Sequence, residues 1–200
     1  MKISNEEQCE STDIIICGGG PTGTMLSALL GQMSMPTSFW SAMLRYRMIP
    51  GPLPCEDAIR LLQRLGLYSQ IFTKFGSPAG LFKFIGGVHT DLSRKPFMAM
   101  DYNTTEGGTG HVYFVSQMQP VTEQAMREVI NECPSSQLRS KSTVTSISAD
   151  EEMVYVEYSD ALATPKRIQA KFLLGADGKT GFTRKMYLEP KGIKMERCLG

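Results

Sequence analysis

Three glycines carry the clearest chemistry in this sequence: Gly18, Gly20 and Gly23, within the run Gly18-Gly19-Gly20-Pro21-Thr22-Gly23. They follow a β-branched stretch, Asp13-Ile14-Ile15-Ile16-Cys17, and precede a segment from Thr24 to Met33 whose apolar residues recur at helical spacing. Between a strand and a helix, each glycine of GxGxxG has its own task. The first permits a tight turn, the second lets a pyrophosphate approach the backbone, and the third lets helix pack closely on strand, while the helix N-terminus favours the negative charge. The plainer reading is a glycine-rich turn with no ligand, and the flanking strand and helix weigh against it. The dinucleotide fingerprint also asks for an acid about 20 positions on, to hold the ribose hydroxyls. The strand that should carry it falls near residues 36–42, Pro36-Thr37-Ser38-Phe39-Trp40-Ser41-Ala42, where there is no Asp or Glu. Glu56 and Asp57 come too late and open a helix, where acids need no ligand. The fingerprint is incomplete on the ribose side.

Little else is equipped for acid–base or nucleophilic work. His89 and His111 are isolated and read as structural or surface residues. Tyr102 and Tyr113 could touch a substrate, although aromatic residues in strands usually belong to a core. The five cysteines, Cys9, Cys17, Cys55, Cys133 and Cys198, are odd in number and widely spaced, with no CxxC pair. Neither a metal site nor a disulfide framework is expected, and a reducing, cytoplasmic setting is. No residue stands out as a catalytic acid, base or nucleophile.

The elements that position the glycine turn are legible in outline. A helix is predicted from Glu56 to Leu65, with Ile59, Leu62 and Leu65 at helical spacing and Gly66 as its stop. Residues 77–117 are rich in Gly, Phe and Thr and read as short strands and loops. Pro120 to Cys133 reads as a further helix, with proline in its first turn and Pro134 beyond its end. Ser142 to Ile147, Met153 to Tyr158 and Arg167 to Leu174 read as an antiparallel meander that ends in Gly175-Ala176-Asp177-Gly178. Residues 1–11 are polar and read as a loose tail. The 200 residues are 42% hydrophobic and 20% charged, an ordinary globular composition. A net charge of +1 gives no electrostatic case for nucleic acid or an anionic membrane. No stretch approaches the ~20 apolar residues of a membrane helix, and an N-terminus holding Glu6, Glu7 and Glu10 lacks a signal pattern.

Four motifs in order resemble one family: the glycine run at 18–23, Leu61-Leu62-Gln63-Arg64-Leu65-Gly66-Leu67, Gln119-Pro120-Val121-Thr122-Glu123, and Gly175-Ala176-Asp177-Gly178 with Arg184. The family is that of the single-component, FAD-dependent aromatic hydroxylases of the p-hydroxybenzoate and phenol hydroxylase type, matched over its N-terminal half. The resemblance implies an α/β fold: a Rossmann-like FAD-binding domain of the glutathione-reductase type, with an antiparallel β-meander and part of an inserted β-rich substrate region. Residues 12–200 would be an incomplete FAD-binding domain, with 77–117 as the insertion on the substrate side. It further implies that Gly18, Gly20, Pro21 and Gly23 hold the FAD pyrophosphate and that Gln119 lies against the ribityl–phosphate portion. Asp177 and Gly178 would sit near the ribose and pyrophosphate, a position also linked to NADPH use. The plainer readings are a helix-capping residue for Gln119 and a turn after a strand for Asp177-Gly178. In such enzymes NADPH reduces the flavin, and an oxygen atom from O2 passes to an activated ring of a small aromatic substrate.

The sequence departs from the family in two places. The chain stops before a second flavin motif and most of the substrate pocket, so a truncated and impaired form is expected. Residues 37–54 lack both the strand-terminal Glu and the Asp-Pro-Arg-like loop of family members. An out-of-frame reading accounts for this second departure. Trp40 is encoded by TGG; if Ser41 is AGC or AGT, the overlapping codon is GAG, glutamate. Met48 followed by Ile49 likewise overlaps GAT, aspartate. The leading reading is thus an FAD-dependent, NAD(P)H-using monooxygenase acting on a phenolic or aromatic polyketide-like substrate in secondary metabolism. A non-catalytic flavin-binding or protein-binding remnant is the alternative. An NAD(P)-dependent dehydrogenase fits less well, because only one βαβ-like start precedes the meander.

Overall fold

The computed structural model describes residues 9–41, 50–53, 56–78, 80–86, 93–101 and 115–195. By its contacts the chain divides into two compact units, Met1–Tyr46 with Met126–Gly200, and Arg47–Ala125. The elements begin with β1 (Glu10–Ser11), β2 (Ile14–Cys17), α1 (Pro21–Gln32) and β3 (Thr37–Ser41). β4 (Pro50–Leu53) and α2 (Glu56–Arg64) come next, then the single turn α3 (Tyr68–Gln70) with a wider continuation, Ile71–Phe75. β5 (Gly76–Pro78), β6 (Leu81–Phe84), β7 (Met98–Asp101) and β8 (Val115–Met118) lead into α4 (Gln119–Asn131). β9 (Ser136–Ser140), β10 (Thr143–Ala149), β11 (Val154–Ser159), β12 (Pro165–Ala170) and β13 (Phe172–Gly175) follow, with helical segments at Thr183–Leu188 and Glu189–Lys191.

The first unit is built on a parallel sheet of order β13-β2-β3-β9. All four residues of β2 are buried, as a short β-branched run must be when a parallel sheet is covered on both faces. Ile15, Cys17 and Trp40 pack against Val154, Val156, Tyr158, Ile168 and Ala170 of a second sheet. That second sheet is the antiparallel meander β10-β11-β12, and its buried residues on β11 alternate with period two. Small residues on α1 let it lie close to its neighbours. Ser27, Ala28 and Gly31 are buried, and a Cβ at Gly31 would come within 2.7 Å of the Ser136 Oγ.

Two expectations need correction here. The polar N-terminus is not loose at its end: β1 pairs in parallel with β12, Glu10 opposite Ile168. Arg139 on β9 holds it by an ion pair to Glu10, an attachment that depends on a residue 129 positions away and leaves no local pattern. Residues 1–8 lie outside the described ones. The run from Arg167 to Leu174 is two strands, not one. β12 completes the meander, the chain breaks at Lys171, and β13 crosses to the parallel sheet beside β2 with Leu173 opposite Ile15. The Phe172 N–H donates to the Asp13 carbonyl at 3.2 Å, so pairing with a distant strand fixes the break, and alternation along the sequence cannot report it.

In the second unit α2 buries Ile59 and Leu62, with Leu65, Leu67 and Ile71 also buried just beyond it. Strands β4-β8-β5 form one antiparallel sheet and β6-β7 another. His89, His111, Tyr102 and Tyr113 lie outside the described residues, as do Cys55 and Cys198. Among the described residues no helix is long and apolar enough to cross a membrane.

Candidate functional site

Three parallel strands end side by side where the glycine turn begins. Cys17 is the register partner of Trp40 on β3 and of Gly175 on β13. The Gly18 N–H donates to the Trp40 carbonyl at 3.1 Å, and the Ala176 N–H donates to the Cys17 carbonyl at 2.7 Å. Gly18 has φ +121°, a conformation side chains rarely adopt, and a Cβ there would overlap the Ala176 carbonyl. A Cβ at Gly23 would overlap the Gly18 carbonyl oxygen. The turn therefore folds tightly onto the first turn of α1. Gly20 differs: it is the extended N-cap, and a Cβ built on it meets nothing within 4 Å. Pro21 follows at the first helical position, where its missing N–H costs nothing. The first turn of α1 holds no acid, so its positive end is left uncompensated by any side chain on the helix itself. A crevice outside the carboxyl ends of parallel strands, next to such a helix end, is where open α/β sheets take ligands.

Asp177 and Gly178 stand on the other side of the turn. The Asp177 Oδ2 accepts the Thr183 N–H at 2.8 Å, and a Cβ at Gly181 would overlap its carboxylate. The Gly181 N–H in turn donates to the Gly178 carbonyl at 3.1 Å. The carboxylate thus holds together the turn that follows β13, which is the plainer reading of this motif, while it also faces a cavity of about 310 Å³. Thr22, Ala176, Asp177, Lys179 and Arg184 are among the residues lining that cavity. Arg184 is fixed by Glu189 (Nε to Oε1, 3.1 Å) and by the Lys179 carbonyl (3.3 Å). Cys17 lies close by, yet its thiol is no nucleophile. Burial pushes its pKa up to about 12; a hydrogen bond with Thr183 opposes the shift, and the Asp177 charge adds to it.

The first unit therefore brings together Gly18, Gly20, Pro21, Gly23, Asp177 and Gly178. Gln119 belongs to the second unit, at the start of α4, where its Nε2 donates to Glu123 Oε1 at 2.7 Å. β3 lies where the ribose-binding strand was expected and ends at Ser41 without an acid. Sequence reasoning missed Arg127 and Thr24. The Arg127 Nη2 donates to the Gly19 carbonyl at 3.0 Å, and the Thr24 Oγ1 donates to the same oxygen at 3.2 Å. Thr24 sits beside the motif and could have been found as a polar residue in the first turn of the helix. Arg127 lies 108 positions from Gly19, with no local signal of that contact.

The family of FAD binding domains matches residues 11–194, a span that contains the turn, the three strand ends and the Asp177 loop. The chain belongs to this family. Among curated relatives of this FAD binding domain, the 3-(3-hydroxy-phenyl)propionate/3-hydroxycinnamic acid hydroxylase of Paraburkholderia xenovorans (strain LB400) is 24% identical over 187 residues, 92% of this chain and 29% of that protein. The "Probable NADH-specific resorcinol 4-hydroxylase" of Rhodococcus jostii (strain RHA1) is 25% identical over 177 residues, 88% of this chain and 32% of that protein. The chain thus spans about a third of the length of the curated relatives it matches. Among solved structures, p-nitrophenol 4-monooxygenase PnpA from Pseudomonas putida DLL-E4 superposes with a TM-score of 0.74 at 20% identity, covering 88% of this chain and 43% of that one. The flavin-dependent monooxygenase PieE, solved with FAD and substrate, gives a TM-score of 0.72 at 18% identity, covering 85% of this chain and 31% of that one. These structures share the Rossmann-like α/β fold of flavin monooxygenases with this FAD binding domain.

The residues present fit the group the family implies. An open N-cap glycine and a helix end free of acids suit a dinucleotide's pyrophosphate.

Proposed function

We propose that this FAD binding domain serves an NAD(P)H-using monooxygenase that hydroxylates a phenolic or aromatic polyketide-like substrate, with NADPH as the reductant. The observation that carries the reading is the family match over residues 11–194 on a chain whose Gly20 stands open at the strand ends. The names of the relatives support an aromatic ring as substrate, and one of those names specifies NADH, so both nicotinamides belong in the test. Bound FAD would supply the redox chemistry that couples nicotinamide oxidation to O2, the source of the oxygen atom added to the ring.

The work of the chain itself is binding and orientation. The backbone of Gly20 and the first turn of α1 receive the pyrophosphate, and Gly18 and Gly23 keep that backbone tight against the strand ends. Asp177 and Gly178 would border the ribose and pyrophosphate. Lys179 and Arg184 bring cations to the cavity, with Arg184 paired to Glu189 and with Asp177 lining the same space. The ribose is the weak point, because β3 ends without a carboxylate to take its hydroxyls; we infer a modest FAD affinity. A flavin fluorescence titration tests the binding step. Oxygen uptake that accompanies NADPH or NADH oxidation, and that rises with added phenols, tests the reaction. Saturable binding with substrate-dependent oxygen uptake supports the reading. Nicotinamide oxidation without oxygen uptake would point to a dehydrogenase instead.

A further inference from the structure

The glycine turn is held from behind by two donors that converge on one atom. The Gly19 carbonyl accepts from the Arg127 Nη2 at 3.0 Å and from the Thr24 Oγ1 at 3.2 Å. The peptide unit that joins Gly19 to Gly20 is planar and trans, so its C=O and N–H point in opposite directions. Pinning the carbonyl therefore pins the Gly20 N–H on the opposite side of the unit, next to a residue whose missing side chain leaves open space. A run of three glycines has little steric preference of its own, so without these donors the unit could rotate at small cost. Thr24 belongs to α1 and Arg127 to α4, so one donor is local to the turn and the other ties it to a separate helix.

We propose that Arg127, assisted by Thr24, is a positioning residue that fixes the Gly19–Gly20 peptide so that the Gly20 N–H is aimed at the pyrophosphate of the dinucleotide. The proposal rests on the reading that this turn holds the FAD pyrophosphate. Arg127 acts through the backbone and touches no reacting atom. A guanidinium suits the task because its hydrogen bond to a carbonyl is charge-assisted and its positive charge lies on an anion-binding turn.

The test compares the wild-type chain with Arg127→Met, Arg127→Lys and Thr24→Val. It measures dissociation constants for FAD and for ADP, which shares the pyrophosphate, together with the ¹³C shift of the Gly19 carbonyl in the ligand-free protein. Arg127→Met should weaken FAD and ADP in parallel by about tenfold or more and should move the Gly19 carbonyl signal. Arg127→Lys keeps a charged donor and should recover most of that loss, a rescue that a purely packing role would not give. Thr24→Val should show a smaller loss in the same direction. Wild-type binding matched by Arg127→Met would overturn the proposal. If the wild-type chain binds neither FAD nor ADP, the cofactor reading fails, and the carbonyl signal alone decides the inference. A Gly19 shift unchanged in Arg127→Met would then overturn it.

Discussion

Gly20 and Gly23, three positions apart, behave oppositely, and substitution should show it. At Gly23 an added methyl would overlap the Gly18 carbonyl, which is backbone and cannot swing away. Gly23→Ala should therefore cost about 3 kcal/mol or more, seen as an earlier midpoint in urea unfolding. At Gly20 the same methyl meets nothing within 4 Å, and the φ of −77° suits alanine. Gly20→Ala should change stability by less than about 1 kcal/mol while weakening FAD by about tenfold or more. Losing stability without affinity at Gly20 would show that the residue serves the fold rather than the ligand. Cys17 gives a second residue-scale expectation. With its pKa pushed up to about 12 by burial, it should resist thiol reagents at pH 8 in the native protein, while exposed Cys9 reacts. Peptide mapping of the labelled cysteines before and after denaturation separates these two from Cys55, Cys133 and Cys198.

At the scale of elements, the first strand is held by side chains rather than by its own two residues. The Arg139 guanidinium lies over both the Trp40 and the Tyr158 ring, at 5.6 and 5.3 Å, and pairs with Glu10, which also accepts the Tyr158 hydroxyl at 2.9 Å. Burial pushes the Glu10 carboxyl upward, but the hydrogen bonds from Arg139 and Tyr158 outweigh it and hold the group below its ordinary value of 4.5. A depressed folded pKa contributes stability that is present above 4.5 and fades as pH falls through the lower folded value. Glu10→Gln should thus cost about 1 kcal/mol near pH 7, an amount limited by the exposure of Glu10. The gap from wild type should close as the pH falls below 4.5. Denaturation midpoints across that range measure it. The elements legible in the sequence were those whose own pattern fixes them: the all-apolar β2, the helix expected from Pro120 and found at Gln119–Asn131, and the alternating β11. The attachment of β1 and the crossing of β13 were not legible, because both depend on partners more than a hundred residues away in sequence. The same distinction applies to the site. Gly18, Gly20, Gly23 and Asp177 announce themselves by local motif, whereas Arg127 reaches Gly19 only through the packing of α4.

At the scale of the molecule, one gap in the dinucleotide fingerprint remains as the sequence indicated. β3 forms in register with β2 and buries Phe39 and Trp40, yet it ends at Ser41 without a ribose acid. The indole N–H of Trp40 is buried with no acceptor among the described residues, a cost of about 1–3 kcal/mol that a strand selected for this place would ordinarily avoid. The out-of-frame reading of residues 37–54, part of which lies outside the described residues, is decided by the coding DNA. That reading requires AGC or AGT at the Ser41 codon, and a TCN codon in the coding DNA would refute it. Restoring the carboxylate is the complementary experiment: Ser41→Glu should tighten FAD by about tenfold or more with little effect on ADP-free stability. The central claim is that the glycine turn at the ends of β2, β3 and β13 takes the pyrophosphate of FAD. A flavin fluorescence titration of the wild-type chain, repeated with ADP as competitor, tests it most directly. The account predicts saturable FAD binding that ADP displaces. FAD that shows no saturable binding, or binding that ADP leaves untouched, would contradict it.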